Sequence, residues 1–132
     1  MITDAKLDAI GIVVADMGRA LAFYRLLGLD VPPGTEDAPH AELTLPGGLR
    51  LLLDTEATIA SFHPDWKPGT GGRVGLAFAL PDAAGVDAAY AELIGAGYHG
   101  ELMPFDAFWG QRYATVHDPD GTGVDLLAPL AS

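Results

Sequence analysis

Two stretches of the chain follow one scheme, and that repetition constrains the fold more than any other feature of the 132 residues. Residues 10–16 read IGIVVAD and residues 76–82 read LAFALPD, two apolar runs of strand length that each end at an aspartate suited to cap a helix. After Asp16, MGRALAFYRLLG sets Met17, Ala20, Leu21, Tyr24 and Leu27 at helical spacing, with Gly28 as the stop. After Asp82, AAGVDAAYAELIGAG repeats the scheme through Val86, Tyr90, Leu93 and Ile94, with Gly95 or Gly97 as the stop. At one constant offset Asp16 matches Asp82, Tyr24 matches Tyr90 and Leu27 matches Leu93, which predicts a duplicated unit.

The second halves of the units also correspond. HAELTLPGGLRLLLD (40–54) and GQRYATVHDPDGTGVDLLAP (110–129) each read as a strand, a tight glycine-containing turn and a second strand. DPDG holds two carboxylates, but at that spacing it is turn chemistry. Each unit is therefore expected to be a strand, a helix and about three further strands. The chain reads as one domain, 1–132, of two modules covering about 5–54 and 74–130. The connector 55–73 opens as a short helix and ends rich in proline and glycine. A connection of this length is often functional, and this one carries Phe62 and Trp66.

Charge narrows the partners. Seven Lys and Arg against 18 Asp and Glu give a net charge of −11, which repels phosphate backbones and anionic membrane surfaces and attracts cations. Neither nucleic acid nor a membrane is an expected partner. The absence of cysteine excludes disulfides and thiolate metal sites. MITDAKLDAIGIVVAD has no basic region before an apolar segment, and no apolar run approaches the ~18 residues that span a bilayer, so a cytoplasmic location is expected.

A duplicated β-α-β-β-β unit in a chain of this size resembles the vicinal oxygen chelate superfamily, which includes glyoxalase I, extradiol dioxygenases, fosfomycin-modifying enzymes and bleomycin resistance proteins. The resemblance covers nearly the whole chain, and IVVADMGRALAFYRLLGL (12–29) and WGQRYATVHDPDGTGVDLLAP (109–129) carry it most specifically. It implies an α+β fold in which two tandem βαβββ modules form a cupped, mostly antiparallel sheet with helices on the outer face. It also implies a homodimer, and a site inside the cup.

Strand parity separates the two faces. Ile10, Ile12 and Val14 are expected under the helices, with Ala9, Gly11, Val13 and Ala15 toward the cup. Leu76, Phe78 and Leu80 are likewise set against Gly75, Ala77 and Ala79. Leu49, Leu51 and Leu53 should pack down and leave Arg50 upward, while Val124 and Leu126 leave Asp125 and Leu127 in the cup. By the resemblance, metal-dependent relatives place ligands at positions corresponding to Ala9, Arg50 (or Leu51 if the hairpin aligns one residue differently), Gly75 and Asp125. Only Asp125 can bind a metal, whereas a divalent site needs about three protein donors. No metal and no cofactor are therefore expected.

The remaining candidates surround the cup. Arg50, Trp109, Asp125, Tyr113, Phe108 and Trp66 are the expected ligand contacts, with Phe62 and Phe105 as further aromatics in irregular segments. Arg50 and Asp125 could equally form a structural ion pair. His117, Tyr113 and Asp125 are candidates for acid-base catalysis. The sequence predicts a binding protein of the bleomycin resistance type, sequestering a small cationic or aromatic molecule such as an antibiotic or metabolite. The alternative is a lyase, isomerase or dioxygenase-like enzyme using the same cavity.

Overall fold

The computed structural model describes residues 1, 3–4, 6–69 and 74–131. The glycine-rich end of the connector, 70–73, lies outside the described residues. Among the described residues the fold is α+β, with two mixed sheets and three helices, and the chain divides into two compact units, Met1–Pro68 and Gly69–Ser132.

In the first unit, β1 (Ala9–Val14) leads into α1 (Met17–Leu26), followed by the hairpin of β2 (His40–Thr44) and β3 (Arg50–Thr55) and by α2 (Glu56–Phe62). The order in the sheet is β1-β3-β2, parallel on one side of β3 and antiparallel on the other. Asp16 caps α1 by accepting the Arg19 backbone N–H at 2.8 Å, and Gly28 ends it at φ +90°. Between α1 and β2 the chain runs in turns rather than as a strand, because Pro32 and Pro33 lack the donors that a ladder requires. This sheet accordingly has three strands.

In the second unit, β4 (Gly75–Ala79) leads into α3 (Ala83–Gly95), followed by β5 (Gly100–Asp106), β6 (Gln111–His117) and β7 (Gly123–Pro129). The order is β4-β7-β6-β5. Asp82 caps α3 through the Gly85 N–H at 2.8 Å, and Gly97, at φ +96°, is the stop, with Gly95 still helical. In the DPDG turn the Asp118 carboxylate accepts the backbone N–H groups of Asp120 and Thr122 at 2.9 and 2.8 Å, and Gly121 takes φ +86°.

Each sheet has a covered and an open face, and the alternation follows the expected parity. Val14, Ala41, Leu43, Leu51 and Leu53 are buried in the first unit with Leu21, Phe23 and Tyr24 of α1. Ala114, Val116, Val124, Leu126 and Ala128 are buried in the second, where α3 packs on β5, β6 and β7. Each fully buried Leu or Val withdraws enough apolar surface to contribute about 1.5–3 kcal/mol.

Candidate ligand-binding face

Antiparallel pairing of β6 with β7 sets Tyr113 opposite Leu127 and Thr115 opposite Asp125 on the open face of the second sheet. The half-buried Asp125 carboxylate accepts one hydrogen bond at each oxygen, from the Tyr113 hydroxyl at 2.5 Å and the Thr115 hydroxyl at 2.8 Å. Burial, with the hydrogen bond to Asp125, pushes the Tyr113 phenol up to about 12, so it stays protonated and donates. Among the described residues no cationic side chain pairs with Asp125.

Aromatic rings stand beside this carboxylate. Trp109 meets Tyr113 edge to face, with centroids 5.2 Å apart at 80°, and Phe105 stands 6.0 Å from Tyr113 at 69°. Phe105 and Trp109 are perpendicular at 6.3 Å, and Phe108 and Trp109 at 5.0 Å. The indole N–H donates to Gln111 at 2.7 Å, which fixes the ring orientation. Trp109 nevertheless remains 49% exposed and Phe108 97% exposed. Further along β6, the His117 ring contacts Glu101 at 2.7 Å and lies 5.0 Å from the His99 ring.

The open face of the first sheet carries a chain of charges instead. Arg50 donates to Asp8 at 2.5 Å and to Glu42 at 2.6 Å, and His40 contacts Glu42 at 2.9 Å and Asp54 at 2.6 Å. Hydrogen bonding to Glu42 and then to Asp54 raises the His40 pKa, and the contacts from His40 and Arg50 lower that of Glu42. A groove of about 310 Å³ is lined by Asp30, Val31, Pro32, Pro33, Glu42 and Thr44.

Of the residues singled out in the sequence, Tyr113, Asp125, Trp109 and Phe108 come together, and His117 shares strand β6 with Tyr113. Arg50 belongs to the other unit and is bonded to Asp8 and Glu42, while Asp125 is bonded to Tyr113 and Thr115. Trp66, half-buried, sits in the turn after α2, and the neighbouring Phe62 is 69% exposed. Sequence reasoning missed Thr115, Gln111, Glu101, His40, Glu42 and Asp54. The alternation His40-Ala41-Glu42 was the available signal for two of them, because residues two apart in a strand share a face.

The donor set does not fit a divalent metal. The pairing sets Gly11 beside Leu52 and Ala77 beside Asp125, so that Leu52 is the counterpart of Asp125 by register, one residue from Leu51 and two from Arg50. Of the positions that the resemblance and the register mark, Ala9, Leu52 and Gly75 carry no donor side chain, and Asp125 alone carries an oxygen ligand. No group of three or more His, Cys, Asp or Glu able to hold a metal ion occurs among the described residues. The small residues differ in origin. A Cβ on Gly75 would lie 3.3 Å from the Gly123 carbonyl oxygen, a packing reason for glycine, whereas a Cβ on Gly11 would meet nothing within 4 Å.

Comparison with known proteins agrees with this architecture. The model of the Glyoxalase/Bleomycin resistance protein/Dioxygenase superfamily matches residues 6–126. A glyoxalase/bleomycin resistance protein/dioxygenase family enzyme from Burkholderia phytofirmans PsJN is similar with a TM-score of 0.82 at 18% identity, over 96% of this chain and 100% of that one. A glyoxalase/bleomycin resistance protein/dioxygenase from Nocardioides gives 0.76 at 21% identity, over 100% and 88%. A lactoylglutathione lyase from Agrobacterium tumefaciens gives 0.68 at 20% identity, over 94% and 93%. No curated protein matches the sequence. The chain belongs to the glyoxalase/bleomycin resistance protein/dioxygenase superfamily.

Proposed function

We propose that the chain is a small-molecule-binding protein of this superfamily that sequesters an organic, positively charged or aromatic ligand on the open face of the second sheet, without a divalent metal. The observation that supports it is Asp125. A half-buried carboxylate that accepts from two neutral hydroxyls has no cationic partner among the described residues, and a ligand cation would supply one beside the aromatic rings. The net charge of −11 would raise the local concentration of such a ligand. An antibiotic or metabolite of this chemistry is the expected cargo, and the cytoplasm the expected location.

The test is a thermal-shift screen of cationic aromatic compounds, followed by calorimetry of the best binder on four variants. Asp125→Asn, Trp109→Leu and Tyr113→Phe should each weaken binding about tenfold to a hundredfold, roughly 1–3 kcal/mol. Arg50→Ala, which frees Glu42 and Asp8, separates a contribution from the other unit. Unchanged affinity in the three second-unit variants would place the site elsewhere. The His117–Glu101 contact supports a second reading, an acid-base lyase or isomerase with His117 as proton carrier. Its signature would be turnover that is lost in His117→Gln while binding persists.

A further inference from the structure

The ring geometry beside Asp125 is specific enough to name a ligand class. Phe105, Trp109 and Tyr113 stand at 88°, 80° and 69° to one another, with centroids 5.2–6.3 Å apart. Three rings set upright to one another at these separations can serve as three walls of a corner. Phe105 remains 37% exposed and Trp109 49%, so these walls are not sealed within a core. One wall, Tyr113, is hydrogen-bonded to a carboxylate, and another, Trp109, is held by Gln111.

A primary ammonium and a methylated onium would meet this corner differently. The ammonium carries three N–H donors, and each Asp125 oxygen already accepts from one hydroxyl, so the carboxylate's remaining lone pairs could meet at most two of the three. A quaternary ammonium has no N–H to satisfy. It spreads its charge over methyl groups that lie against ring faces, and it is drawn by the ring quadrupoles and by the nearby carboxylate without displacing either hydroxyl. We infer that the corner formed by Phe105, Trp109 and Tyr113 over Asp125 is an aromatic cage for a methylated onium cation. This rests on the proposed binding function of the same face and narrows its ligand.

The experiment titrates the full chain, by amide chemical shifts, with choline, ethanolamine and 3,3-dimethylbutan-1-ol. These probes differ in whether the head is a methylated cation, a cation with N–H donors or an uncharged group of the same shape. Choline should shift the Trp109, Tyr113 and Asp125 signals and bind about tenfold or more tightly than either of the others. Trp109→Leu, at an exposed position, and Asp125→Asn should each cost choline about tenfold. Ethanolamine binding as tightly as choline, with loss in Asp125→Asn, would overturn the onium inference and leave the binding function standing. So would binding of another aromatic cation at this face while none of the three probes binds. The uncharged alcohol matching choline, with Asp125→Asn silent, would overturn both.

Discussion

Asp125, Tyr113 and Thr115 form the smallest unit with a testable consequence. Removing the hydroxyl in Tyr113→Phe leaves one carboxylate oxygen without that donor in a half-buried setting, and should cost about 1 kcal/mol in a urea melt. His40 gives a pH signature on the other sheet. Its raised pKa means that its contribution is complete below the ordinary imidazole value of about 6.5 and is lost as pH rises through the higher folded value. The lowered pKa of Glu42 works in the opposite sense, its contribution being lost as pH falls through the folded value. The stability difference between wild type and His40→Gln should therefore be largest near pH ~5.5 and shrink toward alkaline pH. A difference that grows with pH would contradict the assignment. Residue identities were legible at this scale but their partners were not. Nothing in the sequence says that Thr115 faces Asp125 or that His40 faces Asp54, because register is settled by the whole sheet.

The helices and hairpins were the most legible elements because their signals are local. Asp16 and Asp82 sit where a cap is needed, and each accepts the backbone N–H that capping requires. Asp16→Ala and Asp82→Ala should each cost about 1 kcal/mol by denaturant unfolding. Gly97 takes a positive φ that glycine alone adopts without strain, so Gly97→Ala should destabilise by about 1 kcal/mol, and Gly95→Ala, inside the helix, should be neutral or stabilising. Strand parity was legible for the same reason, since Leu51 and Leu53 declare one face and Arg50 the other. The run from 29 to 39 was harder to read. Pro32 and Pro33 remove its ladder donors, while the overall repeat suggested a strand there.

The superfamily frame followed from the order of the repeated elements, whereas the proposed metal-free character of the site rests on three positions where donors are lacking. A homodimer is the expected assembly, because edge strand β5 exposes Leu102 and Met103 and a small domain covers such surface most readily with a second copy. Sedimentation at micromolar concentration should give twice the chain mass, and a monomer would count against it. The open face around Asp125 is proposed to bind an organic cation without a metal. The most direct test is calorimetric titration of the best cationic binder into protein stripped with chelator, with elemental analysis of the same sample. The expected result is less than about 0.1 divalent metal per chain, unchanged affinity after stripping and a loss of about tenfold or more in Asp125→Asn. Binding that disappears with the chelator and returns with Zn²⁺, Ni²⁺, Mn²⁺ or Fe²⁺ would contradict it.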